Sequence, residues 1–171
     1  MDNIIFLEEV TFTIALLIYL AATILFFVYV IGRKDKVSKH AVNVTLAGIA
    51  VHTLSMIFRT IEAGRLPFSN QFEFASSFTW GIVLIFIIIQ FRYKFTSLGA
   101  FVMPLAFLMM MYASMQSRAI NPLMPALQSS WLTIHVGTAV ISYGSFAVAC
   151  GLGIMYLINE KKMNKIDSNL P

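Results

Sequence analysis

Positions free of Asp, Glu, Lys and Arg run unbroken over 10–32, 41–58, 74–91, 95–117 and 119–159. Each of the first four is close to the length of one membrane-crossing helix, about 20 residues. The fifth is too long for a single crossing. Asn121, Pro122 and Pro125 interrupt its beginning, which moves the start of its helix to about Ser130. The pattern predicts an all-α, polytopic membrane helical bundle. Five transmembrane helices are expected near 10–32, 41–61, 74–92, 96–116 and 130–158, in a single membrane domain over 1–171. No internal repeat or low-complexity segment is evident, and the polar tail after Asn159 carries no further expected unit.

Composition agrees with that pattern. The chain is 58% apolar and 12% charged, whereas a soluble domain carries about 25% charged residues. A core of this size cannot hide the surplus apolar surface, so much of it faces lipid. Little length remains for a soluble domain, and function is expected within the membrane or in short loops.

The net charge of +4 is explained by topology. Arg33, Lys34, Lys36, Lys39, Arg92, Lys94, Lys161, Lys162 and Lys165 fall on one side of the five spans, against Arg59, Arg65 and Arg118 on the other. Short basic loops resist translocation, so the amino terminus is expected outside and the carboxyl terminus in the cytoplasm. Nucleic acid drops out as a partner. Asp2, Glu8 and Glu9 precede the first span with no Lys or Arg, unlike a cleavable signal, so the first helix is expected to stay. The single cysteine, Cys150, excludes an internal disulfide and a C-x-x-C-H haem-attachment site. It lies about 22 Å below His135 along the fifth helix, where a buried apolar role is expected.

Two histidines mark candidate chemistry. Thr45, Gly48, His52, Ser55, Arg59 and Glu62 follow one another at three- and four-residue steps along one face of the second helix. Such a stripe should avoid lipid, and an ionisable residue inside a span is a site candidate by default. His52 is either hydrogen-bonding glue between helices or a ligand. Arg59, near the outer end, is expected to reach the interface. His135, Thr138, Ser142 and Ser145 repeat this spacing on the fifth helix, beside Gly137, Gly144, Gly151 and Gly153, whose small size suits close helix packing. His135 lies about 7 Å inside the boundary, with Trp131 one turn earlier at headgroup level. That pairing suits a planar apolar ligand needing axial coordination, although a hydrogen-bonding role fits too. His52 and His135 come to similar depth, so one haem between them, as in a b-type cytochrome or a quinone-reactive subunit, is an alternative, with Arg59, Arg65 and Arg118 on the side suited to its propionates.

Smaller features read as structure. In the 64–73 loop, Ser69 or Asn70 is placed to cap the third helix. His40 reads as a solvated residue at the head of the second helix. Met109, Met110 and Met111 point in three directions and read as packing.

Residues 59–81, RTIEAGRLPFSNQFEFASSFTWG, resemble the outer loop and following helix of the CcsA/ResC cytochrome c biogenesis family, where a G-x-x-P-x-S-N-x-x-E run recurs. Residues 127–136, LQSSWLTIHV, resemble that family's L-Q-S-x-W-L-x-x-H-V segment, and the two matches agree in order and separation. The resemblance implies a haem-handling component of cytochrome c assembly in the bacterial cytoplasmic (inner) membrane. It would bind haem b and present it at the outer face for attachment to apocytochrome c, working with a CcsB/ResB-like partner. His135 matches the family's outer-face axial histidine, whereas His52 matches no ligand of the family; Trp131, His52, Arg65 and Arg118 stay candidate haem-contacting residues by their placement alone. Attachment is implied for the assembled complex rather than for this chain alone. The family's tryptophan-rich W-G-x-x-W-x-W-D loop does not occur in these residues, whose tryptophans are Trp80 and Trp131. The chain therefore reads as the amino-terminal part of such a protein, the rest supplied by a missing half or a second polypeptide.

Overall fold

The computed structural model describes residues 2–121 and 128–167. They form helices α1 (Asp2–Gly32), α2 (Asp35–Ala63), α3 (Gln71–Tyr93), α4 (Gly99–Ser114) and α5 (Ser130–Asp167), with a short 3-10 turn at Thr96–Leu98 before α4. All five are long and apolar enough to cross a membrane, α4 together with the turn before it. Several ends move from their expected positions. α1 begins at Asp2 rather than near 10, α2 at Asp35 rather than near 41, and α5 continues to Asp167 rather than stopping near 158. Charged residues mark where apolar spans end, but Glu, Lys and Arg are good helix formers and do not end the backbone helix. The start at Ser130 is as expected; Pro122 and Pro125, which were to delay it, lie outside the described residues.

The chain turns from α1 into α2 within two residues, Arg33 adopting a φ of 50°. α2 closes on Gly64 at a φ of 65°, the left-handed conformation that glycine adopts without Cβ strain. Side chains then select the packing. On α1, Phe12, Ala15, Tyr19, Ala22 and Phe26 recur at helical spacing and are at most 1% exposed. Phe12 and Tyr19 meet the α2 stripe at His52 and Gly48, while Phe26 meets Phe86 of α3 and Gly99 of α4. In that stripe Thr45, Gly48, His52, Ser55 and Arg59 are all buried, as expected of a face that avoids lipid. A Cβ on Gly48 would stand 2.7 Å from the Tyr19 ring. The α1–α2 pair therefore packs as a tight hairpin.

α3 and α5 approach most closely where two glycines meet. A Cβ on Gly144 would lie 2.8 Å from the Gly81 backbone, and one on Gly81 2.8 Å from the Val140 carbonyl. Gly151 likewise packs on Leu98, Phe101 and Val102. The expected small-residue seam is thus occupied at Gly144 and Gly151, whereas Gly137 and Gly153 meet nothing within 4 Å. Cys150 is exposed, against the expectation of a buried residue. Its neighbour Gly151 takes the packed face with Gly144, Ala147 and Val148, and one residue's rotation of 100° carries Cys150 off it.

Candidate functional site

One end of the bundle collects Glu8, Arg59, Glu62, Arg65, Glu73 and Arg118; the opposite end carries the loops rich in Lys and Arg. Glu73 organises the first end. It is the third residue of α3, and its backbone N–H donates to Asn70 Oδ1 at 2.8 Å, so Asn70 is the cap, as its position suggested. In return Glu73 Oε2 accepts from the Ser69 N–H at 2.8 Å, a capping-box arrangement displaced by one residue. Ser77 Oγ donates to the Pro67 carbonyl at 3.1 Å and pins the loop to α3.

The same carboxylate is fully buried and held by two arginines. Arg59 donates through Nε and Nη2 to Oε1 at 3.1 and 2.9 Å, and Arg65 through Nη1 to Oε2 at 3.0 Å. Arg65 also bonds to Ser69 Oγ and, at 3.4 Å, to the Asn121 carbonyl. Arg59 therefore does not reach the interface: it is 3% exposed, because Glu73 offers it a counter-charge inside the bundle. Arg118 reaches Glu8 Oε2 at 3.4 Å, and its guanidinium lies 4.7 Å from the Phe12 ring centre and 5.0 Å from that of Phe72. Asn70 Nδ2 donates to the Ala119 carbonyl at 3.3 Å. Together these contacts tie the segment after α4 to α1 and to the 64–73 loop.

His52 is fully buried, with neighbours from α1 and α3. Its Nδ1 lies 3.2 Å from the Tyr19 hydroxyl and its Nε2 2.9 Å from Ser76 Oγ. Phe12 and Tyr19 meet its ring edge-on. Both ring nitrogens thus lie within hydrogen-bonding distance of a hydroxyl from a neighbouring helix. Nearby, Trp80 Nε1 donates to Thr53 Oγ1 at 2.9 Å across α2 and α3.

His135 is placed differently. It stands exposed in the second turn of α5, and so do Thr138, Ser142 and Ser145 below it; Trp131 is 76% exposed. Among the described residues the His135 ring has no hydrogen-bond partner. The stripe whose spacing matched that of α2 is thus uncovered. Gly81 lies level with the stretch between Val140 and Gly144, and α3 and α5 run in the same direction. Seven residues back along each, about 10 Å, His135 comes to the depth of Phe74. Phe74 lines an open cavity of about 500 Å³ with Phe68, Ser69, Asn70 and Tyr112. Phe74 stacks towards Phe78, and Phe78 meets Tyr143 of α5 edge-on at 6.1 Å, so an aromatic surface joins the two helices. His52 and His135 do not share a site: one is enclosed by α1 and α3, the other faces outward on α5.

The Asn70-to-Glu73 spacing was the one available signal for the carboxylate at the centre of this end. The Glu8–Arg118 contact, between residues 110 apart, had none. His40 is exposed, its Nδ1 2.6 Å from the Lys36 carbonyl. Met110 is buried, Met109 partly so, and Met111 is 37% exposed, consistent with packing. Groups of three or more metal-ligating side chains are absent among the described residues.

The family model described as "Cytochrome C assembly protein" matches residues 68–171. Cytochrome c biogenesis protein CcsA of Nostoc punctiforme is 36% identical over 69% of this chain and 36% of its own length. That of Trieres chinensis is 36% identical over 60% of this chain and 34% of its own length. That of Chlorella vulgaris is 27% identical over 94% of this chain and 53% of its own length. The chain thus spans about a third to a half of these relatives.

Proposed function

The chain belongs to the cytochrome C assembly protein family, and from that premise we propose that it handles haem for cytochrome c biogenesis. Haem b is held at the end of the bundle that carries His135 and presented there for covalent attachment to apocytochrome c. His135 would supply an imidazole to the haem iron. The observation that carries this reading is the exposed His135 ring, without a hydrogen-bond partner among the described residues, one turn after the exposed Trp131 and within the matched segment. Neutral imidazole is an ordinary haem ligand, and a planar apolar macrocycle suits aromatic walls.

Other side chains have supporting roles. Trp131 lies one turn before His135 and offers its indole as a cover. Arg65 and Arg118 are partly exposed, at 18% and 25% of their side chains, and keep N–H donors for propionate carboxylates beyond those given to Glu73 and Glu8. His52 holds α1, α2 and α3 together beneath the site. When bound, haem supplies the vinyl groups that accept the two thiols of the apocytochrome.

The charge bias supports the Lys-rich end lying inside and His135 outside, and the membrane we assign is the bacterial cytoplasmic one. The uncovered stripe His135, Thr138, Ser142 and Ser145 is the face on which the remaining family length, with its tryptophan-rich loop, or a CcsB/ResB-like partner would close the pocket. The test joins this chain to that remainder and replaces His135 by Gly. Loss of bound haem and of cytochrome c maturation is expected, with haem recovered by added imidazole. Unchanged haem content and maturation would overturn the proposal.

A further inference from the structure

At the Lys-rich end, α1, the 3-10 turn, α4 and α5 enclose a cavity of about 240 Å³. Its wall divides by chemistry. Val30, Phe101, Met155 and Ile158 make the apolar part; Arg33, Ser97 and Asn159 bring a cation, a hydroxyl and a carboxamide to the rest.

Arg33 is the first residue beyond α1, in the left-handed conformation that turns the chain towards α2, with its N–H bonded to the Tyr29 carbonyl at 2.8 Å. Among the described residues its guanidinium meets no carboxylate, those of Asp35 and Glu160 included. Arg59, Arg65 and Arg118 at the other end each meet at least one. Arg33 is exposed at this end, meets no carboxylate and lines a cavity between membrane-crossing helices, so its donors are available to an anion from outside the chain.

The volume corresponds to about eight waters at roughly 30 Å³ each, room for a phosphodiester and part of a glycerol. It falls below the roughly 300 Å³ at which sites for drug-sized ligands begin. The anion is therefore phosphate-like and small. Two sources share that chemistry, free phosphate and a lipid headgroup, and the apolar wall favours the lipid. Ile158 is 42% exposed, so the wall continues onto the outward surface of α5, along which an acyl chain would lie. Lys34, Lys36, Lys94 and Lys161 around the same end add the positive field that gathers anionic lipid.

We propose that this cavity binds the headgroup of one anionic phospholipid, its phosphate against Arg33, Ser97 and Asn159 and the start of its acyl chains along Val30, Phe101, Met155 and Ile158. The lipid bridges α1, α4 and α5 at the end of the bundle opposite His135.

The test places the delipidated full chain in phosphatidylcholine nanodiscs containing phosphatidylglycerol and counts retained lipid by native mass spectrometry. One phosphatidylglycerol per chain is expected. Arg33→Gln should lower its retention roughly fivefold, the effect of one cation at a membrane surface, and Gln116→Ala, at the opposite end of the bundle, should leave it unchanged. Met155→Trp, which fills the apolar wall from another helix, should lower it too and serves if Arg33→Gln does not fold. Inorganic phosphate at millimolar concentration should not displace the lipid. Equal retention of phosphatidylcholine, or no loss in either variant, would overturn the proposal, and displacement by phosphate would assign the cavity to a free anion instead.

Discussion

Arg59 of α2 and Glu73 of α3 face each other inside the bundle, Nη2 to Oε1 at 2.9 Å, the arginine 3% exposed and the carboxylate fully buried. The pair joins α2 to α3 at the point where the 64–73 loop begins to fold over the end of the bundle. Because Glu73 also binds Arg65, caps the Ser69 N–H and receives a cap from Asn70, one side chain coordinates the whole loop.

Breaking that centre should be costly. Glu73→Ala leaves buried Arg59 with only its longer contact to Glu62 at 3.9 Å, and loss of one partner of a buried pair costs about 3–5 kcal/mol. Reversible unfolding in mixed micelles should show a loss in this range. A loss below about 1 kcal/mol, the size of a surface pair, would mean that water reaches the site and the pair is not buried.

The two histidines should separate by experiment. Replacing His52 by Phe leaves the Tyr19 hydroxyl and Ser76 Oγ without their shared partner, a cost of about 1–3 kcal/mol for buried groups left unpaired. Haem content of the completed protein should nevertheless stay near wild type. His135→Gly should do the reverse, lowering haem content while the unfolding midpoint barely moves. Haem loss in the His52 variant at unchanged stability would reinstate His52 as a ligand.

Gly81 and Gly144 are predicted to be sensitive positions, Gly137 and Gly153 tolerant ones. Gly144→Val places side-chain atoms against the Gly81 backbone, which has little freedom to retreat, and overpacking of this kind costs about 1–3 kcal/mol. Cysteines introduced at Phe78 and Tyr143, in a Cys150→Ala background, report the α3–α5 contact through cross-linking. Cross-linking should fall with Gly144→Val and persist with Gly153→Val, where the structure leaves open space. Equal yields in both variants would contradict the close glycine contact.

Arg118 and Glu8 should be energetically coupled. Among the described residues Glu8 Oε1 has no hydrogen-bond partner, so Arg118→Gln leaves that buried carboxylate without its nearest counter-charge. Glu8→Gln should recover part of the loss. A double-mutant cycle should give a coupling of about 0.5–3 kcal/mol, and purely additive losses would show that the contact contributes nothing.

Much of the architecture was legible in the chain because its causes are local. Five apolar stretches gave five helices, with Ser130 as a correct start, since the distance between breaks is set by the chain itself. The ends at Asp2, Asp35 and Asp167 were missed for a related reason: charge limits what enters lipid, not what stays helical. Asn70 was recognised as a possible cap because capping needs only three residues of context. Arg59 was misplaced because its burial depends on Glu73, on another helix, and nothing in the 59–62 turn announces that counter-charge.

The stripes on α2 and α5 show where local pattern stops. Both carry a histidine and small polar residues at steps of three and four, and by sequence alone they are equivalent faces. That each face exists follows from helical periodicity. Tertiary packing then separated them. α1 and α3 closed over His52 and engaged both of its nitrogens, while α5 turned its glycines to Gly81 and left His135 facing outward. Periodicity sets which residues share a face; what covers that face depends on surfaces elsewhere in the chain, and that contact enclosed one histidine and left the other exposed.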